Sequence, residues 1–211
     1  MQKVFTIHFL VLISLLAGGS VFAAPMDPSM DSSEGSPMEE MVLDQGSQEN
    51  SLTEGAQASL GSTAVVMIQG TSEDSTVKGT MNLMEVEGGL KIEAELHGAP
   101  PGKHGFHIHE KGNCEEAGKA AGGHYNPAGV KHGFLAEEGF ENAHGGDLGN
   151  VEIDEKGDGQ VSLVLPGLGL TSGQYPVAGL AVILHENQDD GGQPTGNAGG
   201  RIGCGIIALA Q

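Results

Sequence analysis

An all-β fold is predicted, and three observations predict it. Glycine supplies 36 of the 211 residues, aromatic side chains only 4%, and tryptophan none. Short apolar or strictly alternating segments recur, separated by glycine turns. No segment holds an amphipathic helical period over three turns. Frequent turns between short strands specify a sandwich or barrel. Its core must come from Val, Ile, Leu, Ala and Met.

Residues 1–24 read as an export signal. Lys3 gives a positive start, and residues 4–16 are an apolar run broken only by Thr6, His8 and Ser14. Small residues follow, so cleavage fits after Val21-Phe22-Ala23 or Phe22-Ala23-Ala24. The alternative is an uncleaved anchor, but the run is short for a span of roughly 20 residues. Residues 25–61 are predicted to be an acidic linker. Between 25 and 60 lie eight carboxylates and no Lys, Arg, His or aromatic residue. Low hydrophobicity with one sign of charge cannot offset ordering entropy, so disorder is predicted there. Met26, Met30, Met38 and Met41 leave a thioether copper-binding role open.

The folded domain is predicted over residues 62–211. Ala64-Val65-Val66-Met67-Ile68 reads as a strand, and Glu87-Gly88-Gly89 as a turn. Lys91-Ile92-Glu93-Ala94-Glu95-Leu96 alternates, with Ile92, Ala94 and Leu96 on the buried face. Val151-Glu152-Ile153 and Val161-Ser162-Leu163-Val164-Leu165 flank a turn at Gly157-Asp158-Gly159. Residues 178–184 and 202–209 are apolar runs with internal glycine. Two stretches, about 111–143 and 187–200, lack strand pattern. Long loops on a compact β scaffold usually carry function.

The net charge of −19 argues against nucleic acid as a partner and against an anionic membrane surface. Two cysteines, Cys114 and Cys204, in an exported chain suggest one disulfide. Closing a loop of about 90 residues is worth roughly 4–5 kcal/mol on the chain-entropy argument. Two free buried thiols are the alternative.

Eight of the nine histidines fall in the predicted domain. His107 and His109 lie two apart in a β-like stretch, so both face one side and Ile108 the other. His124, His132, His144 and Asp147 are spread over a glycine-rich stretch, and His185 ends an apolar run. The spacing of His144 and Asp147 suits two ligands within one turn. Three imidazoles with one carboxylate in tetrahedral array favour zinc, and several imidazoles in tetragonal array favour Cu(II). Seven ligands are one short for two four-coordinate ions, and one shared imidazole closes the count. Each histidine taken alone would more often be structural.

These residues carry a specific resemblance. Gly105-Phe-His107-Ile-His109-Glu, Gly123-His124-Tyr-Asn-Pro127, Lys131-His132-Gly133, His144-Gly-Gly-Asp147-Leu-Gly-Asn150, His185-Glu186 and Gly196-Asn-Ala-Gly-Gly-Arg201-Ile-Gly-Cys204-Gly205 together resemble copper–zinc superoxide dismutase. The similarity runs in order over residues 62–211. It implies an eight-stranded Greek-key β-barrel with two long functional loops. It implies one copper per subunit on His107, His109, His124 and His185. It implies one zinc per subunit on His124, His132, His144 and Asp147, with His124 as the bridge. Cys114 and Cys204 would form the family's intrasubunit disulfide. Arg201, the only arginine in the chain, would orient superoxide beside copper. Asp189 would fix His107 and His132 by hydrogen bonds, with Asp190 next door as the alternative. His104 matches a structural histidine, and His97 has no assigned role.

The implied reaction is dismutation of superoxide to oxygen and hydrogen peroxide through a copper redox cycle, with His124 taking up a proton and zinc redox-silent. The implied setting is antioxidant defence outside the cytoplasm, periplasmic or extracellular. No stable membrane association is expected after signal cleavage, and a homodimer stays open. The chain departs from the animal cytosolic members after His185, where the stretch is shorter and holds no lysine before Arg201. Lys119 or Lys131 is therefore expected to supply part of the guiding field. Two other readings are a non-catalytic metal carrier, which predicts missing copper ligands or arginine, and a metal-buffering structural domain.

Overall fold

The computed structural model describes residues 61–210. The expected export signal and all but the last residue of the expected linker lie outside the described residues. Strands β1 (Thr63–Gly70), β2 (Lys78–Val86), β3 (Gly89–His97) and β4 (Gly102–His109) come first. A 3-10 turn (Lys119–Ala121) and a one-turn helix α1 (Leu135–Glu138) follow. Then come β5 (Asp147–Ile153), β6 (Gly159–Leu165), the short pair β7 (Leu168–Gly169) and β8 (Tyr175–Pro176), β9 (Ala181–His185), β10 (Arg201–Ile206) and β11 (Ala208–Leu209). Among the described residues no helix is long and apolar enough to cross a membrane.

Eight strands close on themselves in the order β10-β9-β4-β5-β6-β3-β2-β1, and β1 pairs back onto β10. Every pairing in this barrel is antiparallel. β3 and β4 are successive barrel strands but not neighbours, and so are β6 and β9, which the β7–β8 pair separates in the chain. Those two crossings make the Greek key. β7 and β8 form a separate parallel pair, and β11 extends β1.

Alternation places the core. Ala64, Val66 and Ile68 of β1, Met81 and Leu83 of β2, and Leu90, Ile92, Ala94 and Leu96 of β3 are all buried in one cluster. Phe106 and Ile108 of β4 join it, opposite Leu184 and Val182 of β9. Each large aliphatic buried this way contributes roughly 1.5–3 kcal/mol. β2 was not anticipated, since only the turn after it was read from the sequence. The run expected over 178–184 becomes a turn followed by β9, and the run over 202–209 is broken at Ile207 into β10 and β11.

The same alternation fixes the other face. His107 stands opposite Ile183 and His109 opposite Ala181. Odd-numbered residues of β9 therefore share the outer face with both histidines, and His185 is the next one along. Residues 110–146 and 186–200 are the two long connections covering that face.

Candidate metal centre

Two sets of buried side chains converge on that face. His107, His109, His124 and His185 form one; His124, His132, His144 and Asp147 form the other. Within each set one donor atom per residue lies within 4.8 Å of the others. His124 belongs to both. An isolated bridge between His109 and His124 docks the first long loop on the end of β4. Asp147 opens β5 opposite His107, so the second set hangs on the barrel edge.

Hydrogen bonds set which ring nitrogen faces inward. His107 Nε2 donates to Asp189 Oδ2 at 2.8 Å, which leaves Nδ1 bare and buried with no partner. His109 Nδ1 donates to Gly122 O at 3.0 Å. Its Nε2 then faces His185 Nε2 at 3.2 Å. With the His185 proton on Nδ1, which lies 3.5 Å from Gly199 O, two bare nitrogens face each other and a shared cation would relieve their repulsion. His124 Nε2 is buried and unpartnered on the same side. Four imidazole nitrogens aimed at one point suit Cu(II) or Cu(I).

The second set is tied by one carboxylate. His124 Nδ1 lies 2.7 Å and His144 Nδ1 3.1 Å from Asp147 Oδ1. His132 Nδ1 lies 2.9 Å from Asp147 Oδ2 but out of line for a hydrogen bond, so it too is orphaned. Asp147 N bonds His144 O at 3.2 Å, closing the one-turn spacing of these two residues. Three imidazoles and a carboxylate are the donor set zinc takes. The residues present therefore fit both ions.

Electrostatics agree with that chemistry. Burial, then repulsion from His124, lowers His109 from its ordinary 6.5 to about 2. Burial, with His107 and His124 beside it, lowers His185 to about 3. Burial also lowers His124 to about 4, against its bond to Asp147. These rings are neutral at physiological pH, the state in which imidazole ligates. Burial would also raise Asp147, but the hydrogen bond from His124, the close His132 ring and the hydrogen bond from His144 outweigh it and hold the carboxyl far below its ordinary range. Burial would lower His132, yet Asp147 and Asp189 together raise it to about 9.

Asp189, not Asp190, reaches the rings. Its Oδ1 accepts from His132 Nε2 at 2.9 Å while Oδ2 takes His107. Asp190 is exposed and accepts from Gly192 N and Asn197 Nδ2. Arg201 starts β10 opposite His185, and its guanidinium donates to Gly118 O and Gly122 O at 2.5 Å each. Partial burial lowers its pKa, and its charge bears on His109 and His185. Cys114 and Cys204 are joined, with Cα atoms 5.8 Å apart, which pins the first long loop to β10. The two ring nitrogens of His104 lie 2.8 Å from His185 O and 2.8 Å from Pro100 O, which braces the end of β9. His97 pairs with Asp158 at the surface. Lys119 and Lys131 are both exposed, beside Gly118 and His132 respectively.

Two supporting residues were not read from the sequence. Asn150 grips the backbone of Asp189 twice, donating to its carbonyl at 2.9 Å and accepting from its amide at 2.8 Å. Gln193 holds His132 in the same manner. Asn and Gln are common on surfaces, and only their partners across the fold distinguish these two.

A model described as copper/zinc superoxide dismutase matches residues 77–207. Extracellular superoxide dismutase [Cu-Zn] of Caenorhabditis elegans is 41% identical over 140 residues, 63% of this chain and 62% of that protein. The chain thus spans less than two thirds of that relative. Superoxide dismutase [Cu-Zn] 2 of Aquifex aeolicus (strain VF5) is 39% identical over 141 residues, 64% of this chain and 81% of that protein. The crystal structure of the clock protein EA4 has a TM-score of 0.63 at 37% identity, covering 72% of this chain and 96% of that one.

Proposed function

Because the chain belongs to the copper/zinc superoxide dismutase family, we propose that it dismutates superoxide to oxygen and hydrogen peroxide. The observation that carries this reading is a single one. Three buried ring nitrogens, on His107, His124 and His132, have no partner, and all three point into the two convergent sets. His107, His109, His124 and His185 hold copper. His124, His132, His144 and Asp147 hold zinc. Copper held there would supply a one-electron redox couple.

The residues do the rest. Arg201 is held by two backbone carbonyls, so its remaining N–H groups and its charge are fixed for an incoming anion. His124 Nε2, when it is not serving as a metal donor, is the atom that can hold the proton on its way to peroxide, because Nδ1 faces the Asp147 set. Asp189 keeps the His107 and His132 rings in register. Burial excludes bulk water from the six histidines, Asp147 and Asp189, while Arg201 is half-buried at the edge.

The test is metal analysis of purified protein beside a superoxide assay. Stoichiometric copper and zinc with turnover supports the reading, and loaded protein without turnover removes it. His185→Ala should keep zinc and lose turnover. Full activity in that variant would overturn the copper assignment.

Residues 1–24 direct export and are removed, and residues 25–61 are an acidic spacer. Extracellular relatives and the Cys114–Cys204 bond support a periplasmic or extracellular site of action. A homodimer fits the exposed apolar Val65, Met67 and Ile206 on neighbouring strands. Sedimentation at micromolar concentration reads that state.

A further inference from the structure

We propose that Gln193 is a positioning residue for the zinc half of the centre, acting through the main chain of His132. The inference rests on the metal reading above. Gln193 Oε1 accepts from His132 N at 3.0 Å, and Gln193 Nε2 donates to His132 O at 2.8 Å. A primary amide paired to a peptide at both ends fixes orientation as well as distance. One such bond could rotate; two in parallel cannot. The contact spans 61 residues of sequence and joins the two long loops directly.

His132 is where this matters. Its ring already lies between two carboxylates, 2.9 Å from Asp147 Oδ2 on one side and 2.9 Å from Asp189 Oδ1 on the other. The Nδ1 atom is misaligned for a hydrogen bond to Asp147, so the ring direction is set from outside that pair. Asp189 sets it at Nε2, and Gln193 sets it at the backbone. Both come from the short segment 186–200. That segment is braced within itself: Asp190 N bonds Gly196 O at 2.9 Å, and Gly196 N bonds Gly192 O at 2.6 Å. Asp189 and Gln193 are therefore held at a fixed spacing and grip His132 as a unit.

Residues that orient a metal ligand from outside typically change affinity by about 10–100-fold when removed. Gln193→Ala is expected to weaken zinc binding about tenfold in competition with a chelator. Copper retention should change less than twofold. Cobalt(II) placed in the zinc site should show altered visible bands. Gln193→Glu keeps the size and the acceptor but sets a carboxylate oxygen against His132 O, so it should lose zinc as well. A merely structural role predicts a different result: lower thermal stability of the metal-free protein with zinc and copper affinities falling together. Unchanged zinc affinity and cobalt bands in both variants, or that parallel loss, overturns the proposal. Wild-type protein that takes up no zinc overturns the metal reading itself, which keeps the two failures apart.

Discussion

At the scale of single residues, His132 is the pivot of the centre. Its pKa is raised to about 9 because Asp147 and Asp189 flank it more strongly than burial opposes them. The two carboxyls are held low for the matching reason. In the metal-free protein the raised histidine stabilises the fold fully below its ordinary 6.5, and that contribution fades as pH climbs through about 9. The depressed carboxyls stabilise it above their ordinary 3.8 and cease to as pH falls. Zinc must take the nitrogen that otherwise carries the proton. Zinc uptake at pH 7.5 is therefore expected to release a proton from this ring, and apparent affinity should rise about tenfold per pH unit below 9. Calorimetry in buffers of different ionisation enthalpy counts that proton. Uptake with no release would show that His132 is not a ligand.

At the scale of elements, the entry into β5 is a tight join. A side chain on Gly146 would stand 2.1 Å from Ile108 O and 3.0 Å from Tyr125 N. Gly146 O also accepts from Ile108 N at 2.9 Å. Glycine thus lets the His144–Asp147 turn lie flat on β4. Gly146→Ala should cost about 1–3 kcal/mol in chemical denaturation and release zinc more readily. A stability equal to wild type would mean that the turn can move aside. The strands that hold β4 and β9 were readable because alternation and apolar runs report burial directly. β2 was harder: Met81 and Leu83 point inward with Thr80 and Asn82 between them, but Gly79 on the inward face and apolar Met84 on the outward face blur the pattern. The side chains of the two convergent sets were readable because imidazoles and a carboxylate are chemically distinct. Asn150 and Gln193 were not, since a side-chain amide shows its use only when its partner, 39 or 61 residues away, is brought to it.

At the scale of the molecule, charge works against the substrate. The net charge is −19, and Arg201 is the only arginine. An anion must reach a centre inside a field that repels it, so local cations matter more than the total. Lys119 adjoins Gly118, which holds Arg201, and Lys131 adjoins His132. Replacing both with Ser should lower the association rate about twofold to tenfold at low salt, and the difference should vanish near 1 M salt. An unchanged rate with unchanged metal content would sink this. Barrel closure has a consequence of another kind, in time. The seam joins Gln69 to Cys204 and Gly70 to Gly203, so the first strand waits for nearly the last. Such distant pairing is slow, because loop closure precedes any reward. During synthesis the barrel cannot shut until residue 204 has emerged, and neither can the disulfide that lies on the same seam. A chain built this way stays open, and so threadable, until its last barrel strand has been made.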